Sequence, residues 1–416
     1  MSSARLRILD ARDVNAVDEL LGRRRLRDAG VERRVLRIVD DVRRRGDQAV
    51  LDYARRLDGL AEPIEVTPAH MRREAGQVPR DVRRAIVHAA QRVRTVAARQ
   101  VPRAWRVSTA PGVTITQRVT PLDRVGCYVP GGRYPLPSSL LMTAIPARTA
   151  GVREVIAVCP RPDATVMFAA LEAGVDRLLR IGGAHAVAAL AYGTRTIPRV
   201  DKIAGPGNAY VAAAKAFVSR ECAIDFFAGP SEIVIVSARG NPQWIAADLI
   251  AQAEHDPDAR AILLTPSRRL AAAVADACAR QVTSGSVADR ALRTNGGIVL
   301  TRGIKEAVAI SERIAPEHVV CDDETTAAKL TRAGTIFVGA WSAQALGDYV
   351  TGSNHVLPTR GAAAARGGLS AADFVRVTNV QRITRRGLRG IGVEAIALAT
   401  AEGLTAHAAS IATRFD

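Results

Sequence analysis

The sequence predicts an α/β protein of two parallel-sheet units in series, preceded by an N-terminal helical region and followed by a helical tail. From about residue 112, short β-branched runs alternate with Ala-rich helical stretches, the pattern of parallel strands joined by crossover helices. The alternation starts afresh after Phe227. The 416 residues also exceed what one ordinary core organises, so two or three domains are expected. Each unit is accordingly expected to be Rossmann-like.

The N-terminal region reads as helices over 14–60 and 67–102. VLRIVDDVRRRGDQAVLDYARRL spaces its apolar residues helically, and Gly46-Asp47 marks a break and a new cap. In the first unit, VGCYV, EVIAVC and RLLRIG read as strands, while LLMTAIPARTAG, MFAALEAG and AVAALAYG read as helices. In the second, EIVIVS, AILLT, GIVLT and TIFVG are the strands, with helices from Pro242, over 267–283 and over 303–313. The expected division is 1–120, a helical region packing with the second unit; 121–235, the first unit; 236–365, the second; and 366–416, the tail.

Hydrophobic residues make up 48% and charged residues 24% of the chain, an ordinary globular composition. With no apolar run of membrane-spanning length and no apolar signal core in MSSARLRILDARD, a cytoplasmic protein away from the membrane is expected. The formal charge of +17 is carried almost wholly by Arg. The clusters Arg23-Arg24-Arg25 and Arg43-Arg44-Arg45 alternate with acids, as on a solvated helix face, so no nucleic-acid partner is expected. The five cysteines show no metal-ligand spacing, and their odd number points to reduced thiols. Cys127 reads as a small buried strand residue.

Four Gly-rich turns follow strand-like runs in the first unit: PGG at 130–132, IGG at 181–183, AGPGN at 204–208 and AGPSE at 228–232. Each can serve as a plain turn or let a nucleotide approach the backbone. None has the spacing G-x-G-x-x-G.

In NPQWIAADLIAQAEHDPD, Asn241 can cap and Pro242 open a helix. Gln252 and His255, three apart, then share a face near its end, where an amide oxygen and an imidazole nitrogen could meet one metal ion or form a polar surface. In RIAPEHVV, Pro316 disfavours helix at Ala315. Glu317 and His318 follow as two adjacent acid–base groups, or as a loop acid and histidine. GDYVTGSNHVLPT adds Asp348 and His355, and AEGLTAH adds Glu402 and His407. Mixed nitrogen and oxygen donors suit a catalytic zinc better than a closed structural one.

In order along residues 30–410, these segments resemble the histidinol dehydrogenase family: DVRRRGDQAVLDYARRLDG, VGCYVPGGRYPLPSSLLMTAIPARTAGV, VDKIAGPGNAYVAAAKAFV, AGPSEIVIV, DLIAQAEHDPDARAILLT, RIAPEHV, GDYVTGSNHVLPT and AEGLTAH. The resemblance implies an aldehyde-dehydrogenase-like arrangement of the two units and one Zn2+ per subunit. Its ligands would be Gln252, His255, Asp348 and His407, the last reaching the site of a neighbouring subunit in a homodimer with exchanged tails. It further implies NAD+ contacts at Tyr128, His185 and Asn208. Substrate contacts are implied at Ser231, His318 and Glu402 and at the metal ligands.

The reaction implied is a four-electron oxidation of L-histidinol to L-histidine, the end of histidine biosynthesis, with His318 as base and Glu317 activating water. Two positions depart from the family pattern: His185 replaces the Gln of GGAQA, and Gln344 replaces an acidic residue four before Asp348. The alternative is a paralogous zinc- and NAD-dependent dehydrogenase for another small polar alcohol, such as a sulfonated diol.

Overall fold

The computed structural model describes residues 6–22, 28–131, 134–227 and 229–415. The Arg23–Arg25 cluster lies outside the described residues, as do Gly132 and Ala228 of two glycine turns.

Both expected sheets form, each with six strands. The first runs Glu65–Val66, Arg177–Leu179, Glu154–Val158, Arg124–Tyr128, Lys202–Ala204, Ala223–Ile224 across its width, parallel except for its Glu65–Val66 edge. The second runs Ile8–Asp10, Gly296–Leu300, Arg260–Thr265, Glu232–Val236, His318–Cys321, Thr335–Val338 and is parallel throughout. Their central strands are buried on both faces, hence near-continuous apolar runs such as EIVIV.

Chain order reverses between Arg124–Tyr128 and Lys202–Ala204, the switch point at which parallel sheets open a ligand crevice beyond their carboxyl ends. The IGG and AGPGN turns leave the carboxyl ends of Arg177–Leu179 and Lys202–Ala204.

The N-terminal region departs from expectation. Only Ile8–Asp10 and the Val14–Leu21 helix join the second sheet. The Ala29–Arg45 helix packs on Gly183–Tyr192 and Ala209–Val218, and the Arg80–Gln100 helix on Pro137–Thr149 and Ala164–Ala173, so both cover the first sheet. The reason lies in the apolar stripes: Val35, Val39 and Val42 enter one face of that unit's core, and Ile86, Ala90 and Val93 the other.

The region also ends in strands. Trp105–Ala110 and Val113–Pro121 form a hairpin joined antiparallel by Val375–Ile383 from the tail, a three-stranded sheet that the sequence reading did not contain. The Arg43–Arg45 cluster behaves as expected, pairing with Glu221, Asp41 and Asp52. All five cysteines are free and buried, and burial pushes the Cys127 thiol up to about 12, which leaves it inert at neutral pH.

Candidate active site

Glu317 and His318 stand at the amino end of a central strand in the second sheet, where His318 pairs in register with Ile233. The preceding helix ends at Ile314, and Ala315 turns left-handed with φ +48 because the residue before Pro316 cannot continue a helix. Beyond this turn and Pro316, Glu317 and His318 are both nearly fully buried.

The Glu317 carboxylate accepts from the Glu232 N–H at 2.9 Å and from the Ser231 hydroxyl. Burial, together with the neighbouring Glu232 and Asp348 carboxylates, pushes its pKa well above the usual carboxylate range. His318 Nδ1 lies 3.3 Å from the Glu232 carbonyl and 3.6 Å from Glu317 Oε2. The carbonyl is an acceptor in every protonation state, so it takes the Nδ1 proton and Nε2 is left bare. Burial lowers the His318 pKa to about 4. The result is a neutral imidazole beside a carboxyl that holds its proton unusually tightly, two distinct acid–base groups in one buried place.

Two of the side chains expected to hold metal lie close to this pair. Asp348 and His255 both act electrostatically on His318, as does His355. The Pro242–Ala253 helix is capped by Asn241 as expected, but it stops two residues before His255. Instead of sharing a helix face with Gln252, His255 folds back so that Nδ1 meets the Ala251 carbonyl at 3.1 Å, leaving Nε2 outward.

Gln252 is 1% exposed, and its Oε1 is buried without a hydrogen-bond partner among the described residues. An orphaned buried carbonyl oxygen calls for a ligand. Gln344 donates to Asp348 Oδ2 at 3.0 Å, and His355 Nδ1 donates to the Asp348 carbonyl at 2.7 Å. Gln252 Oε1, His255 Nε2 and the second Asp348 oxygen are donors of the kind a divalent cation takes, His255 held through Nδ1 and Asp348 through Oδ2.

Nevertheless, among the described residues no group of three or more His, Cys, Asp or Glu could hold a metal within one chain. Glu402 and His407 are exposed, His407 on a Thr405–Ala412 helix that buries nothing.

The residues expected to contact cofactor lie around the first sheet. Tyr128 ends the central strand, buried, and its hydroxyl accepts from the Gly183 N–H at 3.0 Å. Asn208 is exposed, and its Oδ1 caps the Ala209–Val218 helix, leaving its amide nitrogen outward. His185 is fully buried and pairs with Asp58.

Sequence reasoning missed Asp58, and it also missed the buried Lys215–Asp225 ion pair. That pair holds the AGPGN turn from both sides: Lys215 donates to the Gly205 carbonyl at 3.0 Å, and Asp225 accepts from the Gly205 N–H at 2.8 Å. A lysine and an aspartate ten residues apart carry no pattern that would have shown this.

The family model for histidinol dehydrogenase matches residues 21–415. Histidinol dehydrogenase of Cereibacter sphaeroides is 45% identical over 411 residues, 95% of each chain. That of Pseudomonas aeruginosa is 44% identical over 409 residues, covering 95% of this chain and 93% of the relative. A crystal structure of histidinol dehydrogenase from Elizabethkingia anophelis superposes with a TM-score of 0.93 at 31% identity, covering 99% of this chain and 98% of that one. Sequence, fold and nearly complete coverage agree, and the chain belongs to the histidinol dehydrogenase family.

Proposed function

We propose that this chain oxidises L-histidinol to L-histidine through L-histidinal, consuming two NAD+. The observation that carries the reading is the buried pair of a neutral His318 and a Glu317 of raised basicity beside Asp348, which Gln344 holds. In the first half, bare His318 Nε2 takes the hydroxyl proton while hydride leaves the alcohol carbon for NAD+, giving the aldehyde. In the second, His318 has passed its first proton to solvent, and Glu317 in its ionised form, a stronger base for its raised pKa, takes a proton from water as the water oxygen adds to the aldehyde carbon. His318 then takes the hydrate's proton while the second hydride departs, leaving the carboxylate.

Zinc would be held by Gln252, His255 and Asp348 together with His407 of the partner subunit, and when bound it supplies a fixed point for the substrate's imidazole and amine. Ser231 and Glu402 complete the substrate contacts in this reading, and Tyr128, His185 and Asn208 hold the dinucleotide. The relatives at 44–45% identity favour histidinol over another polar alcohol.

A homodimer with exchanged tails is supported by the apolar surface that one chain leaves bare. Trp105, Val107, Val377 and Ile383 on the three-stranded sheet, and Val393, Leu398 and Leu404 beyond it, are all exposed. No helix among the described residues is long and apolar enough to cross a membrane, in keeping with a cytoplasmic biosynthetic enzyme.

The test is stoichiometric. Purified enzyme with zinc should form two NADH per L-histidinol and lose that activity on chelation. Saturating histidinol with no NADH formed would rule the substrate out, and full activity after verified metal removal would rule out the zinc.

A further inference from the structure

Asp58 ends a π-helical turn, Ala54–Asp58, far in sequence from the glycine turn that it touches. One oxygen, Oδ2, accepts from the Gly182 N–H at 2.9 Å and from His185 Nε2 at 2.9 Å. Tyr53, at the start of the same segment, stacks on the His185 ring with centroids 5.9 Å apart. Gly183, with φ +56, is pinned from the other side by the Tyr128 hydroxyl.

Three consequences follow. A carboxylate only accepts, so a neutral His185 must carry its proton on Nε2, and Nδ1 is an acceptor. That Nδ1 is buried without a partner among the described residues, and it faces the position a Gly183 Cβ would occupy, 3.6 Å away. The Gly183–Tyr192 helix, whose N-cap Gly182 offers no side chain, begins at this clamp. The Gly182 and Gly183 amides are spent on Asp58 and Tyr128, and Ala186 bonds back to Gly182. The amides of Ala184 and His185 have no partner within the helix. An uncapped helix start and a fully buried, unsatisfied ring nitrogen on its first turn together call for a ligand that brings both acceptor and donor atoms. A dinucleotide has phosphate oxygens for the amides and hydroxyl or carboxamide hydrogens for Nδ1.

We propose that Asp58 is a positioning residue for the cofactor: by holding Gly182 and the Nε2–H tautomer of His185, it sets the helix start and the ring nitrogen that receive the dinucleotide. This rests on the reading of Tyr128 and His185 as cofactor contacts.

The test uses the zinc-loaded enzyme and NAD+. Asp58→Asn keeps the size but can donate to His185, reversing the tautomer. It should raise KM for NAD+ about tenfold or more, the scale of a lost charge-assisted hydrogen bond. The loss should fall mainly on KM for NAD+ rather than on kcat, with KM for histidinol unmoved. His185→Leu should raise KM for NAD+ similarly. His185→Gln, whose amide can still donate to Asp58, should raise it less.

In 15N NMR of the wild type, His185 should show Nε2 protonated and Nδ1 bare, a signature that holds even if the Asn variant folds poorly. A wild-type Nδ1–H tautomer would overturn the proposal. So would an unchanged KM for NAD+ in folded Asp58→Asn while His185→Leu and Tyr128→Phe raise it. If none of the three variants moves NAD+ binding, the cofactor reading falls and takes the proposal with it.

Discussion

Glu317 and His318 titrate in opposite directions, and each direction predicts something separate. His318, lowered to about 4 against an ordinary 6.5, takes up its proton later than the unfolded chain does. Between those values the unfolded state binds more protons, so stability falls as pH drops through that window. The same shift keeps the base competent at neutral pH, and the acid limb of kcat/KM assigned to His318 should lie below 6.5. A pH–rate profile whose His318-dependent limb sits above 7 would remove it as the base. His318→Asn should cut both half-reactions by about 10²–10⁴-fold, the usual scale for a lost general base, with zinc content unchanged.

Glu317 behaves inversely. Its raised pKa means that the folded state retains a proton that the unfolded state has lost, so its contribution worsens as pH rises above the ordinary 4.5. Glu317→Gln removes that cost and should stabilise the enzyme at neutral pH by about 1–3 kcal/mol. It should also spare alcohol oxidation relative to the aldehyde step. Equal loss in both half-reactions would refute water activation by this carboxylate. The sequence showed that these two residues are adjacent; it could not show the burial that drives their proton affinities apart, because the strands that enclose them arrive through sheet pairing.

At the scale of elements, the AGPGN turn shows how a motif becomes a rigid device. Gly205 has φ +127, and a Cβ there would collide with the Tyr128 carbonyl oxygen. The buried Lys215–Asp225 pair then locks the turn against the strand carrying Tyr128. Gly205→Ala should therefore destabilise the chain by about 1–3 kcal/mol. It should also raise KM for NAD+ more than KM for histidinol, measurable by thermal denaturation alongside steady-state kinetics. A variant with unchanged melting and unchanged KM values would show that the turn tolerates what its geometry forbids.

Local signals of this kind were readable in advance. Asn241-Pro242 starts its helix where capping chemistry requires, and Gly46, at φ +55, breaks the N-terminal helix where the sequence marks it. What escaped was long-range: which sheet the N-terminal helices cover, and the pairing of Val113–Pro121 with a tail strand about 260 residues later. An amphipathic stripe reports that a face is buried, not against what. A short exposed strand such as Trp105–Ala110 has no buried face to declare itself.

For the whole molecule, the decisive feature is that one chain presents an unfinished site. His255 and Asp348 lie near His318, and the helix carrying Gln252 packs on the one carrying Asp348, while His407 is exposed on a tail helix that buries nothing of its own. Apolar residues of that tail and its sheet face outward, as expected of a surface completed by a second copy. If each site joins His318 of one subunit to His407 of the partner subunit, two dead variants can repair each other. A dimer of one His318→Asn chain and one His407→Ala chain has one site with both defects and one with neither. Random mixing makes about half the dimers mixed, so refolding the two inactive variants together should restore roughly a quarter of wild-type activity. Were both residues drawn from the same chain, each site would carry one defect and no mixture would regain anything. Inactive dimers, shown by differential tagging to contain both chains, would mean that the tail does not cross.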